Sequence, residues 1–108
     1  MDANFSIRDG SGRYELVDDD TVVGASVYRD AGPRRVFIHT EIDADYAGRG
    51  LASALVKFAL DDVRAQGRRV VAVCPMVAAY VKKHPEYNDL VDHPAGVDGQ
   101  GRWAGSEG

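Results

Sequence analysis

A single cysteine, Cys74, excludes an intrachain disulfide, and a lone thiol suits a reducing compartment. Long hydrophobic runs are missing: none approaches the roughly 18 apolar residues of a membrane span. The opening Met1-Asp2-Ala3-Asn4-Phe5 carries no basic segment leading into an apolar one, so no signal peptide is expected. Basic residues are outnumbered, 13 Lys and Arg against 17 Asp and Glu, for a net charge of −4. That balance, with a pI near 5.2, argues against a nucleic-acid partner. The expectation is a cytoplasmic protein with no nucleic-acid partner, no membrane partner and no metal site. Two phosphate-binding signatures are also absent. No Gly-Lys-Ser/Thr follows the glycines, as a P-loop requires. Ser53 stands where a dinucleotide fingerprint needs its third glycine. No internal repeat is found.

What is present fits one domain. At 108 residues and 44% apolar composition the chain can build one modest core. After about a dozen polar residues without strong period, Arg13 to Val17 reads as a first strand. Asp18-Asp19-Asp20 is a turn, and Thr21 to Arg29, rich in Val, Thr and Tyr, is a second strand with a bulge expected at Gly24. Asp30-Ala31-Gly32-Pro33 turns the chain into a third strand, Arg35 to Ile42. Strict alternation there would set Val36, Ile38, Thr40 and Ile42 on one face and Phe37, His39 and Glu41 on the other. The clearest helix runs from about Gly50 to Gln66. Its apolar stripe is Leu51, Ala52, Leu55, Val56, Ala59, Leu60 and Val63, with Gly67 as the residue beyond its end. Arg69 to Cys74 is a valine-rich run that predicts a buried strand parallel to the third. Met76 to Lys83 reads as a short helix stopped at His84-Pro85, with one further helical turn within Glu86 to Val91. A disordered tail is expected over 93–108.

The stretch that organises the chain is Tyr46-Ala47-Gly48-Arg49-Gly50-Leu51-Ala52-Ser53. Two glycines permit a tight turn with exposed N–H groups. The helix that follows leaves its first N–H groups without intrahelical partners. Free donors at the positive end of a helix dipole make an anion site, most often for phosphate.

Set between a strand and a helix, Ala47-Gly48-Arg49-Gly50-Leu51-Ala52 resembles the Gln/Arg-x-x-Gly-x-Gly/Ala pattern of the GNAT superfamily of acyl-CoA-dependent N-acetyltransferases. It matches at Gly50 and Ala52 and departs at Ala47. His39-Thr40-Glu41, Cys74-Pro75, Tyr80 and His84-Pro85-Glu86-Tyr87 are similar to segments of the small stand-alone members, over roughly residues 5 to 92. The resemblance implies an α+β fold: a minimal GNAT-like domain over 1–92, with an antiparallel meander joined to a βαβ unit and a splayed parallel strand pair. It also implies acetyl-CoA as cosubstrate, its pyrophosphate on the N–H groups of Gly48, Arg49, Gly50, Leu51, Ala52 and Ser53, with charge from Arg49. A main-chain N–H near Ile42 or Asp43 would polarise the acetyl carbonyl. Glu41, ranked above His39, would be the base for an amine, and Tyr80 would protonate the CoA thiolate. Cys74 is either a small buried hydrophobe or a covalent acetyl acceptor at the strand splay.

Three functions follow from this reading. The first is acetyl transfer from acetyl-CoA to a small-molecule or protein amine. The second is a CoA-binding or protein-interaction module without turnover, since little chain remains to build an acceptor pocket. The third is a nucleotide binder using the same turn. Exposed sheet edges admit a homodimer as well as a monomer.

Overall fold

Valine, threonine and tyrosine recur through the first forty residues, and there the chain runs as four strands. In the computed structural model, which describes residues 4–92, these are β1 (Phe5–Asp9), β2 (Arg13–Asp18), β3 (Thr21–Ala31) and β4 (Arg34–Ile42). They are followed by α1 (Leu51–Ala65), β5 (Arg69–Ala72), α2 (Pro75–Lys83) and β6 (Val91–Asp92). One sheet holds all six strands in sequence order. Its first four form an antiparallel meander, and β5 and β6 join in parallel. This is the α+β arrangement that the sequence predicts, with two strands that it does not. β1 precedes the expected first strand, and β6 falls where a helical turn was expected to end. The tail expected over 93–108 lies outside the described residues.

Helix α1 buries Leu51, Leu55, Val56, Ala59, Leu60 and Val63 on the sheet. These are six of the seven stripe positions, Ala52 being half-exposed. Burial of each large side chain contributes about 1.5–3 kcal/mol. The helix closes as its glycine predicts: Arg68 N–H donates to the Val63 carbonyl and Gly67 N–H to that of Arg64, both at 3.0 Å. Helix α2 starts with Pro75 at its first turn. It adds Val77 and Val81 to the same core, which centres on Tyr14, Leu16, Phe37 and Val70. Among the described residues no helix is long and apolar enough to cross a membrane.

Two bulges shape the sheet near the end of β4. In β3, Leu16 pairs with Gly24 and Val17 with Val22, so Val23 is the extra residue, next to the expected Gly24. In β4, Val27 pairs with His39 and Tyr28 with Phe37, which leaves Ile38 unpaired. The Ile38 bulge overturns the strict alternation expected for this strand. Phe37 and Thr40 both face the core, at 0% and 6% exposure, while Ile38 and His39 are both exposed. Parallel pairing with β5 ends at the same point, with Phe37 opposite Ala72 and Cys74 N–H donating to the Phe37 carbonyl at 2.8 Å. Beyond it the strands part. Val73, expected to be buried, is exposed because β5 stops at Ala72.

Gly24 holds the end of β4 in place. A Cβ there would lie 2.5 Å from Ile42 Cδ1 and 3.1 Å from the Glu41 carbonyl oxygen. The isoleucine can rotate, but the carbonyl is main chain. Gly24→Ala is therefore expected to cost about 1–3 kcal/mol, read as a drop of roughly 5–15 °C in melting temperature. An unchanged Tm would mean that β4 yields there freely.

Candidate active site

The turn between β4 and α1 is built to leave donors open. Asp43 leads into a 3-10 turn, Ala44–Tyr46, which is anchored from two sides. Tyr46 Oη donates to Asp18 at 2.6 Å, a bond that raises the phenol pKa, and its ring meets Phe5 edge-on at 5.9 Å. Gly48 and Gly50 both adopt the left-handed conformation, with φ of 77° and 75°. A Cβ on either would meet nothing within 4 Å, so the space above the turn is open. Gly50 caps α1 without a side-chain hydrogen bond, and no acidic residue occupies the first turn. Ala54 N–H donates to the Gly50 carbonyl at 3.2 Å. The N–H groups of Leu51, Ala52 and Ser53 precede that bond and point out of the helix end. The Arg49 guanidinium lies 5.5 Å from the ring centroids of both Phe5 and Tyr46. In this conformation it packs the turn against β1.

Beside these donors, α1 and α2 enclose a groove of about 190 Å³. Ala52, Ser53 and Val56 form one wall, and Met76, Ala79, Tyr80, Lys83 and His84 the other. The α2 residues recur at three- and four-residue spacing on the face away from Val77 and Val81. Of this wall the sequence assigns a role to Tyr80 alone; His84, which reads either as closing the acyl site or as stopping the helix, is given the second. A second face of the short helix was the signal for the others. Burial pushes the Tyr80 phenol pKa up, with Lys57 opposing, so the hydroxyl holds its proton at neutral pH.

The sheet divides the remaining candidates. Cys74, at the start of α2, is 2% exposed. Its thiol donates to Thr40 Oγ1 at 3.4 Å, which in turn is 2.9 Å from Ser26 Oγ. This buried polar chain across β3, β4 and α2 was not expected from the sequence, because it needs the Ile38 bulge to turn Thr40 inward. His39 and Glu41 lie on the opposite face, with Nε2 3.8 Å from Oε2 and side chains 62% and 73% exposed. Of the two expected carbonyl donors, Asp43 is corrected: its N–H is committed to the Val23 carbonyl at 2.8 Å. Successive N–H groups of a strand point to opposite edges, so that of Ile42 is directed to the β5 side, where pairing has already ended.

The comparisons agree with this architecture. A family profile described as GCN5-related N-acetyl-transferase matches residues 13–90. No curated relative matches the sequence. Among solved structures, the chain is similar to a GCN5-like protein of Staphylococcus aureus solved by NMR. The TM-score is 0.67 at 19% identity, over 85% of this chain and 92% of that one. It is also similar to the ribosomal-protein-alanine N-acetyltransferase of Brucella melitensis biovar Abortus 2308, with a TM-score of 0.51 at 20% identity, over 74% and 62% of the two chains. The ribosomal-protein-S18-alanine N-acetyltransferase of Escherichia coli gives 0.51 at 14%, over 65% and 42%. The chain thus spans 62% and 42% of the lengths of these two enzymes, and at such identities the likeness is one of fold. The profile match covers most of the sequence, and on that ground the chain belongs to the GCN5-related N-acetyl-transferase family.

Proposed function

We propose that the protein transfers an acetyl group from acetyl-CoA to an amine. The observation that carries this reading is the glycine-led start of α1, without a side-chain cap, which opens beside the groove between α1 and α2. The main-chain N–H groups of Leu51, Ala52 and Ser53 suit a pyrophosphate: they are open donors at a helix N-terminus, with nothing within 4 Å of a Cβ built on Gly48 or Gly50. The groove between Val56 and Tyr80 suits the narrow pantetheine arm.

Acetyl-CoA supplies an activated acyl carbon, whose C–S bond breaks as the C–N bond to the amine forms. The Ile42 N–H is aimed to hold the carbonyl oxygen as negative charge develops on it. Glu41, on the exposed face, accepts the proton that the amine sheds. Tyr80, on the groove side, gives its hydroxyl proton to the departing sulfur and recovers one from solvent. Cys74 needs no covalent part in this route, since its thiol is buried and bonded to Thr40. Acceptor and donor thus approach from opposite faces of the sheet. The −4 net charge favours a cationic amine through long-range attraction.

A thermal-shift titration tests the cosubstrate. At about a hundred times its dissociation constant a ligand stabilises by about 2.7 kcal/mol, or roughly 10–20 °C for a domain of this size. Acetyl-CoA and CoA are expected to give that shift, and ATP and NAD none. A shift with ATP or NAD that competes with CoA would favour a nucleotide binder. No shift with saturating CoA would sink the transfer reading. A binding module without turnover would show the CoA shift and no acetylated product with polyamines or lysine peptides.

A further inference from the structure

The segment His84-Pro85-Glu86-Tyr87 has no part in the reaction so far described, yet its geometry converges on Tyr80. Proline excludes the helical conformation for the residue before it. His84 accordingly leaves the helix with φ −128° and ψ 78°. The chain then doubles back through a 3-10 turn, Pro85–Tyr87. Two rings reach Tyr80 as a result. The His84 imidazole stacks on the Tyr80 ring at 4.1 Å and 22°. The Tyr87 ring meets it at 6.0 Å and 47°.

Tyr87 is itself fixed. It is 4% exposed, and its hydroxyl donates to Asp61 Oδ1 on α1 at 2.6 Å. Burial, and then this bond, push its phenol up to about 12, so the donor stays protonated. Asp61 is held in turn by Lys57 at 2.8 Å. Arg64 reinforces the turn with bonds to the Glu86 carbonyl at 2.9 Å and to the Asp89 carboxylate at 2.8 Å. A chain of contacts therefore runs from α1 through Tyr87 to Tyr80, and His84 lies against the Tyr80 ring as well. The His84 side chain stays 40% exposed at the groove edge, with Nδ1 3.5 Å from Glu86 Oε2.

We propose that His84 and Tyr87 are positioning residues for Tyr80: together they fix its ring in the groove and so set where its hydroxyl meets the departing sulfur. The effect on rate rests on the acetyl-transfer reading; the effect on the ring does not. Two measurements on the full chain separate them. The first is the NMR ring-proton shifts of Tyr80 in the wild type, His84→Ala and His84→Phe. The second is steady-state kinetics of the same proteins with acetyl-CoA and a responsive amine.

In His84→Ala the Tyr80 ring protons are expected to lose the shift imposed by the stacked imidazole. The kcat is expected to fall about tenfold, within the hundredfold that an ångström of misplacement can cost, with KM for acetyl-CoA changed less than about twofold. His84→Phe keeps a stacking ring without a titratable nitrogen and is expected to restore both. Unchanged ring shifts or unchanged kcat in His84→Ala would overturn the assignment. So would a His84→Phe protein as impaired as His84→Ala, since the imidazole nitrogens and not the stack would then matter. A wild type that shifts with CoA but acetylates no amine would remove the transfer reading, while the ring shifts would still decide whether His84 fixes the Tyr80 ring.

Discussion

Replacing Arg35 with methionine is expected to lower stability by about 3–5 kcal/mol, a large part of the roughly 5–15 kcal/mol that holds a domain together. Arg35 is a β4 residue only 4% exposed. Its guanidinium makes two bonds to Asp30, at 2.8 and 2.9 Å, and one to Tyr14 Oη at 2.7 Å. It lies 3.7 Å from Asp9 and 3.8 Å from Asp62, and 4.0 Å from the centre of the Tyr28 ring. Tyr28 and Tyr14 themselves donate to Asp9 and Asp62, each at 2.6 Å. One cation therefore organises three carboxylates and two buried phenols from four elements. Methionine keeps the apolar stem and removes the charge, so the cost is that of a cluster of carboxylates losing its centre.

The pH dependence gives this prediction its signature. Arg35, through its hydrogen bonds first, holds the Asp30 carboxyl below the usual range, with burial opposing. A depressed carboxylate contributes stability above its unfolded pKa, about 3.9. That contribution is lost as pH falls through the lower folded value. Without Arg35 the Asp30 carboxylate loses the partner that holds it ionised, and that contribution is absent from the variant at any pH. The Tm gap between wild type and Arg35→Met is thus expected to be roughly 15–30 °C near neutrality and to narrow toward pH 3. A gap of a few degrees, or one that does not change with pH, would mean that the network is worth no more than surface ion pairs.

Arg35 also marks the limit of what the sequence discloses. A charged residue in a strand reads as solvent-facing, and its partners Asp9, Asp30 and Asp62 lie in three separate parts of the chain. Only the fold brings them together. The helix α1 was legible because fifteen residues repeat one period and the glycine beyond them is a strong stop. By contrast, β1 offers only Phe5 and Ile7 as an apolar alternation, and an edge strand with one neighbour needs no more. β6 is two residues long, too short to carry a pattern. The Ile38 bulge inserts one residue into a run that alternates well on paper, and every side chain after it changes face. That single insertion is why the buried Ser26–Thr40–Cys74 chain was missed, while His39 and Glu41 were rightly paired on one face. The family resemblance rested on short local segments, the glycine turn first among them, and local features survive such errors.

The glycine turn and Glu41 should fail in opposite ways. Gly50→Val is expected to weaken CoA binding by at least about a hundredfold and so to abolish the thermal shift. At φ 75° a side chain is strained by about 1–2 kcal/mol, and its methyls would occupy the open space above the turn. The main-chain donors to a phosphate lose their alignment, and each charge-assisted hydrogen bond so lost costs about 1.5–3 kcal/mol. Glu41→Gln changes neither shape nor the cradle, which lies beyond the end of β4. It is expected to leave the CoA shift and KM intact and to reduce kcat by about 10²–10⁴, the usual share of a general base. Turnover unchanged in Glu41→Gln would move the base elsewhere, with His39, 3.8 Å from that carboxylate, as the next residue to replace. A CoA shift unchanged in Gly50→Val would remove the turn from the binding site. The two results together would separate a site that binds and reacts from one that only binds: the first loses function at both positions, the second at Gly50 alone.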